Sequence, residues 1–305
     1  MDKFKNKKVL VTGGAGFIGS HIVDLLLENG AEVHVVDNLC AGKRENVNDK
    51  AVLHVVDIRD KDKLAPIFKG ASFVFHEAAV PRVPYSIEHP EETHDNNVNG
   101  TLDVLSVSKE AGVRRFIFAA SSSAYGDKEE MPLREDMPAE SVHPYGLQKY
   151  IGELYAKLYS DLYDLETVSL RYFNVYGPRL DPEGDYALVI GRFLKQRKEG
   201  EPLTIVGDGE QTRDFTHVHD VARANILAAL SNKVGRGEVI NIGAGESHSV
   251  NELAEILGGE RKTLPPRVEA RHTLADNRKA KELLGWTPEI SFQDGIGELK
   301  KIFGL

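Results

Sequence analysis

The sequence predicts an α/β fold in which a doubly wound parallel sheet is joined to a smaller C-terminal substrate-binding lobe. Three observations carry that expectation. Short, nearly continuous apolar runs recur through the first half, as strands covered on both faces require. Amphipathic stretches at helical spacing separate these runs. The first run leads through a glycine-rich turn into a helical stripe, the order of a βαβ unit.

Val9-Leu-Val11 is the first apolar run. Ile18, Ile22, Leu25 and Leu26 then repeat at helical spacing, and Gly30 falls where a helix ends on a left-handed residue. Val33–Val36, Val52–Val56 and Phe73–Phe75 supply the next strands. A long helix is expected from about Glu91 to Ala111, followed by a strand over Arg115–Ala120. A second long helix runs from Tyr145 to about Leu162, followed by a strand over Thr167–Tyr172. Beyond Asn174 the rhythm changes. Gly177–Gly184 is rich in turn residues, and Pro265-Pro266 marks another extended crossing. Val239–Ile242 reads as a short strand returning to the main sheet. The expected division is therefore residues 1–174, with a returning segment at about 214–243, interleaved with a second region over 175–305.

A chain of 305 residues buries a sizeable core and suits about two domains, or one large domain with an appended lobe. Apolar residues make up 41% and charged residues 28%, an ordinary globular balance. The net charge of -9 argues against a nucleic-acid partner but does not forbid an anionic small molecule, which a few local arginines can attract. The single cysteine, Cys40, excludes an internal disulfide and suits a reducing compartment. No apolar run approaches the roughly 20 residues that span a bilayer. Met1-Asp-Lys-Phe-Lys5 leads to the first strand with no apolar signal segment. The expectation is a cytoplasmic protein with no membrane partner and no assigned metal site.

Gly14-Ala-Gly16-Phe-Ile-Gly19 fits G-x-G-x-x-G, and Gly13, Gly16 and Gly19 also fit a wider G-x-x-G-x-x-G spacing. Glycine lets such a turn tighten against a pyrophosphate while the helix N-terminus directs N–H groups at its charge. The pattern is weak alone and gains weight from its place between Val9–Val11 and the Ile18–Leu26 stripe. Asp37 follows the second strand, 18 residues past Gly19. A carboxylate there accepts from both ribose hydroxyls and repels a 2′-phosphate, favouring NAD over NADP. Lys43 and Arg44 lie nearby and pull the other way. Asp57, after the third strand, is a weaker candidate for the adenine edge, and Ala78-Ala79 lets backbone approach a cofactor without side-chain bulk.

Tyr145-Gly-Leu-Gln-Lys149 lies 24 residues downstream of Ser121-Ser-Ser123, measured from Ser121. A phenol has a pKa of about 10, so Tyr145 needs roughly 4 kcal/mol of preferential phenolate stabilisation to act near neutrality. Lys149 sits one helical turn on, on the same face, where its charge and that of an oxidised nicotinamide favour the phenolate. Ser121 is placed to bond a sugar oxygen and guide the proton. An isolated Y-x-x-x-K carries little weight; beside a small-hydroxyl strand end and a dinucleotide turn it points to redox chemistry.

With these pieces in view the chain resembles, over nearly its full length, the extended short-chain dehydrogenase/reductases, and within them the UDP-hexose 4-epimerases. The matching stretches are Thr12–Ser20, Asn96–Thr101, Ser121–Gly126, Tyr145–Lys149, Arg171–Pro178, Arg213-Asp-Phe215 and Leu284-Gly-Trp286. The resemblance implies a Rossmann sheet holding NAD. Tyr145 would take the proton of the sugar 4-hydroxyl while NAD takes hydride from C4, after which the 4-keto sugar turns and hydride returns to its other face. Ser121 aligns best with the catalytic hydroxyl, with Ser122 and Ser123 toward substrate. Further cofactor contacts are implied for Phe17, Ile18, Asn38, Gly42, Ile58, Val80, Asn97 and Tyr172.

On the nucleotide-sugar side the resemblance implies Asn174, Arg213 and Arg267 or Arg271 around the UDP pyrophosphate, where guanidinium forks suit phosphate oxygens. Val189 and Thr204 fall where related enzymes enclose the uracil, and Val83 and Val206 are further implied substrate contacts. The stretch Arg267–Arg271 is one residue shorter than the usual pattern. Thr273 aligns with a pocket-wall position where a tyrosine restricts related enzymes to non-acetylated sugars, so activity on UDP-GlcNAc and UDP-GalNAc is expected beside UDP-glucose and UDP-galactose. Dehydratases and decarboxylases of this group carry an acid just before the tyrosine-glycine of the serine segment; Ser122-Ser-Ala124 has none. A UDP-glucuronate 4-epimerase stays open, with Arg82 or Arg179 toward a 6-carboxylate, as does a catalytically silent NAD-binding sensor. A homodimer through the two long helices is implied by resemblance.

Overall fold

The computed structural model describes residues 3–182, 189–266 and 270–305. The N-terminal part runs β1 (Lys8–Thr12), α1 (Phe17–Glu28), β2 (Glu32–Asp37), β3 (Val52–Val55), α2 (Lys61–Phe68) and β4 (Phe73–His76). It continues with α3 (Val83–Glu88), α4 (Pro90–His94), α5 (Gly100–Glu110), β5 (Arg115–Ser121), α6 (Pro144–Tyr163), β6 (Glu166–Tyr172) and β7 (Val175–Tyr176). The remainder comprises α7 (Val189–Glu199), β8 (Leu203–Val206), β9 (Thr212–Arg213), β10 (Thr216–His217), α8 (Val218–Leu230) and β11 (Arg236–Ile242). It closes with β12 (His248–Ser249), α9 (Val250–Leu257), β13 (Arg261–Leu264), α10 (Arg278–Leu284) and α11 (Phe292–Phe303).

Seven of these strands form one sheet in the order β11-β6-β5-β4-β1-β2-β3, with every pairing parallel. Successive strands run outward from β1 in one direction as β2 and β3, and in the other as β4, β5, β6 and β11. The reversal opens a crevice between β1 and β4 at their C-terminal ends, where such sheets take their ligands. The apolar runs face both ways: Val9, Val11, Phe75 and Ile117 join one core cluster, and Leu10, Val74, Phe116 and Phe118 the other.

The expected helix from Glu91 to Ala111 is helical but not uniform. Asp95–Asn99 forms a π turn between α4 and α5. Its extra residue re-aims Asn97 toward the crevice, a use common to such turns. β11 lies beside β6 in register Ile242 to Tyr172, so the late strand does rejoin the sheet. The buried guanidinium of Arg115 donates to the carbonyls of Ala228, Ala229, Ser231 and Val234, closing the C-terminal end of α8. Cations suit those unsatisfied acceptors.

The C-terminal lobe has its own core of Ile190, Phe193, Leu194, Leu253, Phe292 and Ile296, with β8 and β13 as a small parallel pair. Asp214 ties it to the sheet. Its carboxyl accepts from the N–H groups of Ala244, Gly245 and Ala275 at 2.7, 3.0 and 3.0 Å. Trp286, fully buried, donates its indole N–H to the Asp220 carbonyl on α8. Among the described residues, no helix is long and apolar enough to cross a membrane, and no His, Cys, Asp and Glu group is arranged to hold a metal ion.

Candidate active site

The glycine turn is shaped by close backbone approach. Gly13 adopts φ 70°, and a Cβ there would lie 2.7 Å from the Ala78 nitrogen. A Cβ on Gly19 would lie 2.3 Å from the Gly13 carbonyl oxygen. The turn therefore packs under the segment leaving β4. The N-cap of α1, Gly16, makes no side-chain cap, so the first-turn amides of Phe17, Ile18 and Gly19 have no intrahelical acceptor and suit a pyrophosphate. Asp37 accepts from the N–H groups of Ala15 and Leu39 at 3.0 and 2.8 Å, each oxygen keeping a lone pair for a ribose hydroxyl. Gly42 abuts that carboxylate, where a Cβ would meet both oxygens at 2.9 Å. Lys43 is paired with Asp181 at 3.6 Å, which removes one cation that would have recruited a 2′-phosphate. A dinucleotide with free ribose hydroxyls fits this donor and acceptor set.

Asp57 is committed to a network: Arg59 contacts both its oxygens and Asn38 donates to it at 3.1 Å. The guanidinium holds its carboxyl well below the usual range. Ile58 is buried beside this network, against Gly100. Asn97 clips the backbone of Val80, accepting from its N–H at 2.7 Å and donating to its carbonyl at 3.1 Å. Its second amide hydrogen goes to Gln148. Asn97 thus positions the Ala78–Val80 backbone.

Beneath this loop a polar chain crosses the core. The Ala78 N–H reaches the Thr12 hydroxyl, which meets His76 Nδ1 at 2.7 Å. His76 Nε2 meets the Thr101 hydroxyl at 2.9 Å, and Thr101 donates to the Asn97 carbonyl. Thr101 is spent as a donor there, so Nε2 carries the proton and Nδ1 accepts. Burial pushes His76 down to about 3, keeping it neutral in this role.

The α6 helix carries Tyr145 and Lys149. His143 is its N-cap, accepting the Gly146 N–H at Nδ1 over 3.1 Å, with its ring stacked near Tyr145 at 6.2 Å and 16°. The Tyr145 N–H donates to Ser86 of α3 at 3.1 Å. Of the serine run, Ser121 lies near enough to the Tyr145 phenol to favour its ionised form. Lys149, buried, donates to the Ala119 carbonyl on β5 at 2.8 Å and lies 5.0 Å from the Phe118 ring centroid.

Burial pushes Tyr145 up to about 12; Ser121 opposes that shift and the charge of Glu77 adds to it. Lys149 by itself does not bring the phenol toward neutrality. Burial lowers the Lys149 ammonium while Glu77 and Glu153 act in the opposite sense. Both carboxylates act on it through space, while its hydrogen bond is to the Ala119 carbonyl.

At the other end Asn174, at φ 25°, donates to the Asp214 carbonyl and to the Thr273 hydroxyl, both at 3.2 Å. Asn174, Thr273 and Arg213, which donates to the Thr212 carbonyl at 2.9 Å, are brought together. Arg271 forms a two-bond pair with Asp208 at 2.8 and 2.7 Å. Arg267 lies outside the described residues. Thr204 on β8 bonds Gln196 at 3.0 Å, Val206 ends that strand, and Val189 opens α7. Arg179 is engaged by Asp24 at 2.7 Å, and Arg82 is the N-cap of α3, beside Val83.

A UDP-glucose 4-epimerase of Mycolicibacterium smegmatis is 37% identical over 311 residues, spanning 97% of this chain and 98% of that protein. The UDP-glucose 4-epimerase of Thermotoga maritima, solved with UDP-glucose, superposes with a TM-score of 0.93 at 41% identity, over 97% of this chain and 98% of that one. The UDP-N-acetylglucosamine 4-epimerase of Methanobrevibacter ruminantium, in complex with UDP-N-acetylmuramic acid, gives a TM-score of 0.93 at 38% identity, over 98% and 99%. The profile of the NAD dependent epimerase/dehydratase family matches residues 9–243. The chain belongs to that family.

The family's cofactor, NAD, is the dinucleotide that the cradle suits. Several residues of this epimerase site escape a reading of the sequence. Thr12, His76 and Thr101 look like ordinary strand and helix residues until the fold joins them. Histidine is an uncommon N-cap, so His143 carries no capping signal. Glu77, beside the two alanines, has no motif of its own, yet it accepts the Tyr172 hydroxyl at 2.9 Å, and Tyr172 also bonds Asn225. One substitution tests the cradle: Gly19→Ala should strip most bound NAD from the purified protein, and wild-type occupancy on extraction would contradict the close approach.

Proposed function

We propose that the chain catalyses NAD-dependent 4-epimerisation of UDP-hexoses: UDP-glucose with UDP-galactose, and UDP-GlcNAc with UDP-GalNAc. The placement of Tyr145 near Ser121 at the end of β5, with Lys149 bonded to Ala119 of the same strand beside the β1–β4 crevice, carries this reading. Bound NAD supplies a reversible acceptor for the hydrogen on sugar C4. Gly13, Gly16, Phe17, Ile18, Gly19 and Asp37 would hold it. Tyr145 takes the proton from the 4-hydroxyl, with Ser121 orienting that oxygen and passing the proton. The 4-keto sugar turns within the pocket, and Tyr145 returns the proton once C4 is reduced from its opposite face.

Because burial holds the phenol near 12, it ionises only when more positive charge enters the crevice. The cationic ring of the oxidised cofactor is that charge. Proton removal is thereby tied to a loaded, oxidised site. Residues 1–174 with 214–243 would serve the cofactor, and residues 175–305 the nucleotide sugar. Asn174, Arg213 and Arg267 or Arg271 would meet the pyrophosphate, Val189, Thr204 and Val206 the uracil, and Val83, Ser122 and Ser123 the hexose. Thr273, small and hydrogen-bonded to Asn174, leaves room for a 2-acetamido group.

The same reading includes a homodimer and a cytoplasmic location. Leu147, Leu154, Leu158 and Leu162 share one stripe of α6 and are 50%, 51%, 45% and 61% exposed, an apolar face that a second copy of α6 would cover.

Tyr145→Phe should lower turnover of UDP-hexoses by about a hundred- to ten-thousandfold while leaving NAD bound; activity near wild type would remove this mechanism. With Thr273→Tyr, epimerisation of the acetylated pair should fall about tenfold or more while the non-acetylated pair is spared. Equal loss on both pairs would contradict the specificity reading. Sedimentation of Leu158→Glu should report a monomer where the parent protein is a dimer, and an unchanged species would move the interface elsewhere.

A further inference from the structure

Glu77 stands at the centre of the crevice without a part in the reaction described so far. It is the first residue past β4, and its backbone lies directly under Gly13, where a Cβ would sit 2.9 Å from the Glu77 carbonyl carbon. The register of β4 on β5 pairs His76 with Phe118, so Glu77 falls level with Ala119, the residue whose carbonyl receives Lys149. The register of β5 on β6 pairs Ser121 with Tyr172, so the strand end nearest the Tyr145 phenol also abuts the tyrosine that holds Glu77. Asn225 of α8 fixes that tyrosine from behind, donating to its oxygen at 2.8 Å. A carboxyl group has been built into a place that needs only backbone, and two polar side chains are spent on keeping it there.

We propose that Glu77 is a positioning residue for the proton chemistry: its carboxyl, held on Tyr172, supplies the counter-charge to Lys149 and so governs how strongly Lys149 assists Tyr145. The inference rests on the epimerase reading above and deepens it.

The groups facing Glu77 are Tyr172 from β6 and Lys149 and Tyr145 from α6, with the neutral amide of Asn225 from α8 behind Tyr172; His76, on the other face of the strand, bonds Thr12 and Thr101 and stays neutral. Glu153 adds to the field at Lys149 but is itself matched by Arg171 in a buried two-bond pair at 2.8 and 2.7 Å. Glu77 is thus the carboxylate without a dedicated cation other than Lys149. Its negative charge raises both Tyr145 and Lys149. Burial in turn raises Glu77 itself, so its charge develops only as the pH climbs toward neutrality. Removing that charge moves both partners the same way: the phenol gives up its proton at lower pH, and so does the ammonium. The competent pair, phenolate with ammonium, then occupies a window displaced as a whole to lower pH. A merely structural defect would reduce the height of the profile without translating it.

The test uses the NAD-loaded protein and the pH dependence of kcat/KM for UDP-glucose. In Glu77→Gln both limbs should move to lower pH by about one unit. Tyr172→Phe, which removes the hydroxyl that stabilises the Glu77 charge, should move them the same way by less. Direct ultraviolet difference titration of the Tyr145 phenolate, each protein measured against its own Tyr145→Phe counterpart, should show the same displacement without any turnover. Limbs and phenolate titration unmoved in either variant that retains wild-type NAD, or moved to higher pH, would overturn the proposal. If the parent protein epimerises no UDP-sugar, the functional reading has failed, and the phenolate titration still decides the role of Glu77.

Discussion

A positive charge held away from water is the constraint from which the site follows. The Lys149 ammonium is buried between α6 and the end of β5, and an ion in that position is tolerated only when donors and counter-charges replace its hydration. The Ala119 carbonyl takes one N–H, the Phe118 ring faces it, and Glu77 and Glu153 supply opposite charge. Glu153 in turn needs Arg171, and Arg171 stacks over Tyr125 at 4.4 Å. Tyr125 donates to Asn241 on β11 at 2.7 Å. The charge that assists Tyr145 is therefore braced through β5, β6 and β11, and the late strand that rejoins the sheet is part of the brace.

This arrangement separates two jobs that one tyrosine has to reconcile. Without cofactor the phenol stays protonated and inert, since burial and the nearby carboxylate both oppose its ionisation. A cation arriving with the cofactor changes that balance at the place where the hydrogen on carbon must also be accepted. The Thr12–His76–Thr101 chain and the Asn97 clip hold the loop around Ala78 so that the arrival has a fixed geometry. The site is rigid where the cofactor lies. The C-terminal lobe lies beyond it, and Asp214 joins the two halves through three backbone N–H groups.

Much of this was legible in the sequence because it is written in local spacing. The runs at Val9, Val33, Phe73 and Arg115 lie within strands whose ends differ by a residue or so from expectation. The glycine turn, Asp37 and the Tyr145–Lys149 pair are local patterns with local causes. The parts that were not legible depend on pairs far apart in the chain. His76 meets Thr12 across 64 positions, and Tyr172 meets Glu77 across 95. The π turn at Asp95–Asn99 keeps the helical rhythm of polar and apolar residues, so periodicity does not reveal the extra residue that re-aims Asn97. The counter-charge on Lys149 was missed for the same reason. Spacing of four residues shows that Lys149 faces Tyr145, but not that Glu77 comes to face Lys149.

In the proposed reaction one carbon of the sugar is oxidised and reduced again in the β1–β4 crevice, with a phenol moving the proton and a bound dinucleotide the hydride. The most direct measurement follows deuterium placed on C4 of UDP-glucose through conversion to UDP-galactose in ordinary water, read by mass spectrometry. The account expects the label to remain on C4 of the inverted product. Replacement of that deuterium by solvent hydrogen during inversion would contradict it, since the carbon would then have exchanged with water rather than with a partner held in the site.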